Sequence, residues 1–146
     1  MDALLITDKG EMTVNLFTKE APTTVENFIK LVEKGFYKDL IFHRAIPQFM
    51  IQGGCPEGTG NGTVGYTIAC EVEGERQYHD RGVLSMAHAG KDTGSSQFFM
   101  CYNRHHTKHL DGHHTCFGKI TKGIDNLDKL RKGDKFSIIM DNYGKK

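Results

Sequence analysis

The sequence has no excess of charge of either sign: 19 basic and 18 acidic residues leave a formal net charge of +1. Because the two signs are interspersed and no basic stripe exists, a nucleic-acid partner is disfavoured. No apolar run approaches the roughly 20 residues that a bilayer-spanning helix needs, which argues against a membrane partner. The segment Met1 to Thr7 has neither a basic lead nor a cleavage site, so we expect no signal peptide and a cytoplasmic location.

Metal-binding and redox motifs are also missing. None of the four cysteines forms a C-x-x-C pair, which disfavours a zinc knuckle and a thioredoxin-like site, and we expect reduced thiols. Histidines are crowded late in the chain, and His105 with His109 would form an i, i+4 pair on a helix. No third ligand has suitable spacing, so we expect no metal and no cofactor. Nothing fixes a cysteine beside a base and an oxyanion hole either.

The pattern of apolar residues predicts a mainly β protein. With 146 residues and no linker or internal repeat, the chain reads as a single domain over residues 1–146. A helix is predicted from Pro22 to a capping Gly35, and a shorter one at 125–132. The predicted strands are residues 3–7, 12–17, 66–69, 83–87, 96–102, 115–120 and 136–140, together with the segment 42–54. Many short strands with two helices indicate a closed antiparallel barrel with helical caps.

The segment 42–54 places one permanently charged side chain among apolar ones. Strand alternation predicts Phe42, Arg44, Met50 and Gln52 on one face, provided that Pro47 preserves the register. A buried arginine needs partners because it cannot lose its proton, and the Gln52 amide oxygen is a nearby candidate. This face predicts a wet pocket with apolar walls. The alternative is a surface arginine whose stem lies along a barrel strand.

A second face of the same kind occurs later in the chain. Period-two alternation sets Gln97, Phe99 and Cys101 on one face, and Phe98 and Met100 on the other, which we expect to be core. Taken alone, this pattern also fits an ordinary barrel strand with a satisfied glutamine. Two faces that each combine an amide with an aromatic wall favour one shared groove.

The segment Gly60 to Gly65 fits the pattern G-x-G-x-x-G. A dinucleotide site requires that motif to follow a strand and open a helix. Here Tyr66, Thr67 and Ile68 follow, which favours a strand instead. We therefore interpret the segment as a loop whose glycines let the backbone approach a ligand.

Several motifs, spread over nearly the whole chain, occur together in a fixed order. They are Phe42-His43-Arg44, Ile46-Pro47, Phe49-Met50-Ile51-Gln52-Gly53-Gly54, Gly58-Thr59-Gly60, Leu84-Ser85-Met86-Ala87-His88-Ala89-Gly90, Ser96-Gln97-Phe98-Phe99, and Leu110-Asp111-Gly112 followed by His114 and Phe117-Gly118-Lys119. In these motifs the chain resembles the cyclophilin family of peptidyl-prolyl cis–trans isomerases, and most of all its short bacterial cytoplasmic members. The resemblance implies a closed eight-stranded antiparallel β-barrel capped by two α-helices, with an active groove on its outer face.

The resemblance also assigns roles to individual residues. It implies a catalytic set, in which the arginine acts on the substrate: Arg44, Gln52, Phe49 and His114. It implies a substrate-binding set, which walls the proline pocket and holds the peptide: Met50, Phe99, Leu110, Gln97, Ala87, His88, Gly60 and His109.

Two positions depart from the pattern of animal members. His88 stands where asparagine is common, and since that position works chiefly through its main chain, we expect catalysis to survive. His109 stands where many animal members have a tryptophan that helps to hold cyclosporin, so we expect reduced affinity for the drug. The implied partners are proline-containing peptides and client proteins, unfolded or folded. Nothing in the sequence indicates an obligate interface, so we expect a monomer.

Two hypotheses for function follow. In the first, the chain is an isomerase that accelerates rotation about X-Pro bonds, a slow step in folding. In the second, it is a proline-peptide binding module or chaperone whose isomerase activity is incidental. The presence of Arg44 favours the enzyme, because a binding module has no need of a donor for the twisted amide.

Overall fold

Eight strands form a closed antiparallel barrel in the computed structural model, which describes residues 1–62 and 64–141. The strands are β1 (Asp2–Thr7), β2 (Gly10–Leu16), β3 (Leu40–Ile46), β4 (Met50–Gly53), β5 (Val83–Met86), β6 (Phe98–Cys101), β7 (Cys116–Lys122) and β8 (Lys135–Asp141). Around the barrel their order is β1-β2-β7-β5-β6-β4-β3-β8. Because β1 pairs with both β2 and β8, the first and last strands close the barrel. The implied eight-stranded barrel is confirmed.

The barrel interior is filled by large apolar side chains from alternate strand positions. In β2 the side chains of Met12, Val14 and Leu16 are buried, as the alternation predicts. Six aromatic rings form one contiguous set of ring contacts within the core: Phe28, Tyr37, Phe42, Phe98, Phe117 and Phe136. This rigid core leaves the outer faces of β3, β4 and β6 as a platform for a site.

The predicted first helix is confirmed as α1 (Pro22–Glu33), with its apolar face on the barrel. Ala21 at its N-cap has no side-chain acceptor, and its first turn contains no acidic residue. The carboxylate of Glu71 supplies the missing acceptor and the missing negative charge, because it accepts the backbone N–H groups of Thr23 at 3.1 Å and Thr24 at 2.7 Å. Gly35 follows the helix with φ +76°, the left-handed conformation that glycine adopts without strain.

Two predicted elements are wrong in kind. The second helix, expected at 125–132, is a 3-10 helix at Ile124–Lys129. A separate four-residue helix, α2 (Arg104–Thr107), continues into a 3-10 turn at Lys108–Leu110. The strand expected at 66–69 makes one isolated bridge, between Ile68 and Gly94, and since Tyr66 and Thr67 are exposed, little side-chain packing supports a longer strand.

The segment 42–54 is a hairpin of β3 and β4, and its register differs from the predicted one. Phe42 pairs with Gly53, while Arg44 pairs with Gln52, so His43 is an extra residue on the β3 side. The bulge turns Phe42 into the core, where it is 0% exposed, and leaves Arg44 exposed on the outer face. The prediction that Phe42 and Arg44 share a face is therefore wrong.

Candidate active site

A groove of about 560 Å³ lies on the outer face of the barrel, over the paired strands β3, β4 and β6 and the loops that flank them. All residues of the two predicted sets except His109 line this groove. They are Arg44, Phe49, Met50, Gln52, Gly60, Ala87, His88, Gln97, Phe99, Leu110 and His114. The two faces predicted from separate segments therefore meet in one site.

Arg44 lines the groove, and its guanidinium has no partner among the described residues. Its side chain makes no hydrogen bond or ion pair with any residue in the ranges 1–62 and 64–141. The expected bond to the Gln52 amide oxygen is absent, although the two residues face each other across the hairpin. Because Arg44 is exposed, water can satisfy its donors until a ligand enters.

A chain of amides runs beside Arg44. Gln97 Nε2 donates to the carbonyl oxygen of Gly60 at 2.9 Å and lies 3.5 Å from that of Gly62. Since a carbonyl can only accept, the orientation of the Gln97 amide is fixed, and its Oε1 accepts from Gln52 Nε2 at 3.1 Å. Both glutamines are therefore held in place, with the Gln52 carbonyl oxygen left over as an acceptor.

The floor of the groove is a small apolar cluster separate from the barrel core. Met50 and Phe99 are 3% and 4% exposed, and Cys101 lies beneath them, fully buried. Phe49, Ala87 and Leu110 pack around them. Burial raises the pKa of the Cys101 thiol to about 12, so it behaves as a neutral packing residue. The cluster forms a preshaped apolar wall of a size that suits a small ring.

A buried histidine, which sequence reasoning missed, supports this wall from behind. The ring of His79 is stacked on that of Phe99, with centroids 5.9 Å apart and planes at 13°. Its Nδ1 lies 2.8 Å from Asp111 Oδ1, and its Nε2 lies 2.8 Å from Ser85 Oγ. The order Asp–His–Ser is that of a hydrolase triad, but Ser85 is 0% exposed, and its Oγ also lies 3.2 Å from the carbonyl oxygen of Thr115. The arrangement therefore orients Phe99 and offers no accessible nucleophile.

Burial lowers the pKa of His79, and this outweighs the opposing effect of its bond to Asp111. His79 is therefore neutral near pH 7, with Nδ1–H donating to the Asp111 carboxylate. Asp111 is also paired with Arg104 Nη2 at 2.8 Å, and these bonds hold the carboxyl pKa below its usual range despite partial burial. No sequence pattern pointed to His79, because a single histidine in a loop has no period.

His114 and His88 form the other end of the wall. His114 Nδ1 lies 2.9 Å from the carbonyl oxygen of Met86, so this nitrogen carries the proton. Burial lowers the pKa of His114, with a smaller contribution from its histidine neighbours. Its ring meets Phe99 edge-on at 5.5 Å and is stacked on His88 at 4.0 Å. The expectation that His88 acts chiefly through its main chain leaves out this side-chain contact.

The glycine-rich loop is organised by a buried thiol. Cys55 Sγ accepts the N–H groups of Gly60 at 3.3 Å and Gly62 at 3.2 Å. Burial raises the pKa of Cys55, but these bonds and those from the N–H groups of Glu57 and Thr59 outweigh it and lower the pKa. Among the described residues, the next element after β4 is the strand β5 at Val83–Met86, so the helix that a dinucleotide motif requires is not found there. Position 63, within that motif, lies outside the described residues.

Five further lining residues were not predicted as site residues. All five lie in loops, where neither the period of two nor helical spacing applies. The one feature of the sequence that could have identified them as site residues is their position within or beside the matched motifs. They are Asn61, Gly62, Ala89, Thr93 and Ser95.

His109 does not line the groove. Its ring is stacked on Phe49, with centroids 5.8 Å apart and planes at 19°, so it touches the site only through that side chain. His105 lies in α2, which ends before His109, so the two do not form an i, i+4 pair on one helix. In the described part of the chain, no three His, Cys, Asp or Glu side chains are grouped so that they could hold a metal ion. None of the helices there has the length and apolar character needed to cross a bilayer.

A closed eight-stranded barrel with a groove on its outer face is the architecture that the resemblance to peptidyl-prolyl isomerases implied. The chain belongs to the family described as cyclophilin type peptidyl-prolyl cis-trans isomerase/CLD, whose model matches residues 3–142. The sequence-based assignment of family and activity, peptidyl-prolyl cis–trans isomerisation, is thereby confirmed.

Relatives and solved structures agree with this assignment. A peptidyl-prolyl cis-trans isomerase of Helicobacter pylori is 52% identical over 140 residues, which cover 94% of this chain and 85% of the relative. Peptidyl-prolyl cis-trans isomerase B of Bacillus subtilis is 52% identical over 130 residues, covering 89% and 90%. A crystal structure of a cyclophilin type isomerase from Cryptosporidium parvum, in the presence of the dipeptide Ala-Pro, has 34% identity and a TM-score of 0.88, and the match covers 97% of this chain and 99% of that one.

Proposed function

We propose that Arg44 catalyses rotation about X-Pro bonds by donating a hydrogen bond to the proline nitrogen while the amide is twisted. One observation carries this assignment: the Arg44 guanidinium has no partner among the described residues and borders an apolar pocket formed by Phe49, Met50 and Phe99. Because Arg44 is exposed, water can satisfy its donors, and an entering ligand can displace that water. The guanidinium is therefore left available to a ligand.

The chemistry requires such a donor and no nucleophile. Amide resonance gives the C–N bond partial double-bond character and a rotation barrier of about 18–20 kcal/mol. When the bond is twisted, the nitrogen lone pair is no longer shared with the carbonyl and becomes a better acceptor. A donor aimed at that nitrogen therefore binds the transition state more tightly than either planar form. Each ~1.36 kcal/mol of this difference accelerates rotation tenfold.

The remaining groove residues hold the two sides of the rotating bond. The apolar cluster around Phe99, completed by Leu110 and His114, encloses the pyrrolidine ring, which then cannot turn. The oriented amides of Gln52 and Gln97 face the peptide backbone, so the carbonyl that precedes proline is the part that swings. Catalysis in this scheme is positioning and electrostatic stabilisation.

The test compares turnover with binding in one peptide. Exchange NMR on an Ala-Pro peptide gives the catalysed rotation rate and the dissociation constant from the same sample. For Arg44→Ala we expect the rotation rate to fall by about 100-fold, the usual cost of losing one transition-state donor. Affinity should change by less than about threefold, because an exposed charge adds little to ground-state binding. Arg81→Ala, which removes a surface arginine paired with Asp128 outside the groove, is the matched control.

Equal losses of binding and rotation in Arg44→Ala would contradict this role and favour the second hypothesis, a proline-peptide binding module with incidental activity. Arg44→Lys separates charge from geometry, since lysine keeps the charge but not the planar fork of donors. We expect it to recover only part of the rate.

We further propose that the natural partners are proline-containing segments of unfolded or folded clients, met by a monomer in the cytoplasm. The Cryptosporidium structure in the presence of Ala-Pro supports this choice of ligand. Reduced affinity for cyclosporin is supported by His109, which contacts Phe49 in place of the tryptophan common in animal members. Titration calorimetry with wild type and His109→Trp should show tighter binding of the drug to the variant, and equal affinities would exclude this explanation.

A further inference from the structure

His88 and His114 form a face-to-face pair at the end of the groove. Their ring centroids are 4.0 Å apart and their planes differ by 9°, so the rings are stacked in van der Waals contact. On the side of His114 that meets Phe99 the contact is edge-on at 5.5 Å, which restrains the ring less. His88 is therefore the neighbour that covers the His114 ring face.

His88 is itself fixed at both nitrogens. Its Nε2 lies 2.6 Å from the carbonyl oxygen of His113, so Nε2 carries a proton and donates. Its Nδ1 accepts the N–H group of Gly90 at 3.1 Å, so Nδ1 carries none. Such a ring is neutral, has one tautomer, and bridges its own loop to the backbone immediately before His114. A side chain that only filled space would not need either bond.

We propose that the His88 side chain is the positioning residue for His114: by stacking on it from a doubly anchored ring, it fixes the plane of the His114 ring, and with it the Nδ1–H bond to the Met86 carbonyl that sets the tautomer presented to the substrate. The proposal rests on the proposed function only in that His114 lines the active groove. With Nδ1–H of His114 bonded to the Met86 carbonyl, the lone pair of Nε2 is the group left for the groove. Loss of the stack would free this ring to turn about its χ angles.

The experiment compares two variants by histidine NMR and by kinetics. His88→Phe keeps a stacking ring without either nitrogen, and His88→Ala removes the ring. In wild type at neutral pH, ring 15N shifts should show His114 protonated at Nδ1 and bare at Nε2. In His88→Ala we expect mixed tautomers of His114 and a loss of kcat/KM of about tenfold or more, mainly in kcat, because a misplaced group loses rate before it loses binding. His105→Ala, exposed and outside the groove, controls for the assignment of signals and for the loss of a histidine.

His88→Phe should lose less rate than His88→Ala and keep the His114 tautomer, because a stacking ring remains. An unchanged His114 tautomer with kcat/KM within about twofold of wild type in His88→Ala would overturn the proposal. If His88→Ala does not fold, His88→Leu, which also has no ring to stack, replaces it, and the same unchanged tautomer and kcat/KM would overturn the proposal. The NMR result is independent of turnover. A wild-type chain that failed to rotate the peptide would therefore refute the proposed function, while the tautomer of His114 in the variants would still test the positioning role of His88.

Discussion

Gln52 and Gln97 are bonded to each other across β4 and the segment that precedes β6, with Gln52 Nε2 donating to Gln97 Oε1 at 3.1 Å. Because Gln97 also donates to the Gly60 carbonyl, the pair connects the arginine hairpin to the glycine-rich loop. Cys55 continues the connection, since its thiol accepts two N–H groups from that loop. The two sides of the groove are thus joined by hydrogen bonds that do not involve the substrate.

This connection predicts the effect of changing Gln97. Gln97→Glu replaces a donor with a carboxylate, which would repel the Gly60 carbonyl and still accept from Gln52. We expect KM for an X-Pro peptide to rise by about tenfold while kcat changes by less than about threefold, because the loop and the backbone site move but Arg44 does not. Steady-state rotation rates at several peptide concentrations measure both. A fall in kcat with an unchanged KM would mean that Gln97 acts on the transition state.

Phe99 is expected to control binding and turnover together, since it is the centre of the pocket wall. Phe99→Ala should weaken peptide binding and kcat/KM by similar factors, and lower the free energy of unfolding by about 3–5 kcal/mol, as for other buried aromatic residues. Phe99→Leu keeps most of the volume and serves as the control for stability. Peptide affinity equal to that of wild type in a folded Phe99→Ala would contradict the placement of the proline ring against this side chain.

Local patterns predicted the parts of this site that lie on regular strands. Alternation correctly separated Gln97 and Phe99, which face the groove, from Phe98 and Met100, which are 0% exposed in the core. The same rule failed for Phe42, because a bulge adds one residue to one strand and leaves no mark in the pattern of polar and apolar residues.

Contacts between distant segments could not be read from the sequence at all. The bonds of His79 to Asp111 and Ser85 join two loop segments to strand β5, and only the closed barrel brings these three segments together. The same holds for Glu71, which caps a helix 47 residues earlier in the chain at Thr24. The roles of Arg44 and His114 are those that the family resemblance implies, and the structure adds the two neighbours that hold the His114 ring, Met86 and His88.

Gly54 gives a prediction about folding at the edge of the site. Its φ is +93°, and a Cβ added there would lie 2.5 Å from the carbonyl oxygen of Ser96, a backbone atom. Gly54→Ala therefore combines left-handed strain of about 1–2 kcal/mol with a steric clash, and we expect a loss of more than about 3 kcal/mol in the free energy of unfolding. Gly35→Ala, with φ +76° and open space around its Cα, should cost only the strain. Urea midpoints of the two variants measure the difference, and equal losses would exclude the clash.

The lowered pKa values of three histidines predict that the protein loses stability in mild acid. Burial lowers the pKa of His43, His79 and His114 below the ordinary value near ~6.5. Below that pH the unfolded chain binds protons that the folded chain does not, so the free energy of unfolding falls as the pH falls from the ordinary value toward the lowered ones. For His79, which is 0% exposed, the slope is at most ~1.36 kcal/mol per pH unit. Urea unfolding at several values between about pH 7.5 and 5.5 measures the total slope, because carboxylates titrate only at lower pH.

His79→Phe isolates one of these contributions. Phenylalanine keeps a ring against Phe99 but leaves Ser85 and Asp111 without their partner, so we expect a loss of about 1–3 kcal/mol at neutral pH. The slope of the free energy of unfolding against pH should become shallower, because the variant lacks the imidazole that binds a proton more readily in the unfolded chain than in the folded protein. This readout does not depend on how much the substitution destabilises the fold as a whole. A slope equal to that of wild type would show that His79 binds its proton as readily in the folded protein as in the unfolded chain, and would contradict the assignment of a neutral, buried imidazole behind the pocket wall.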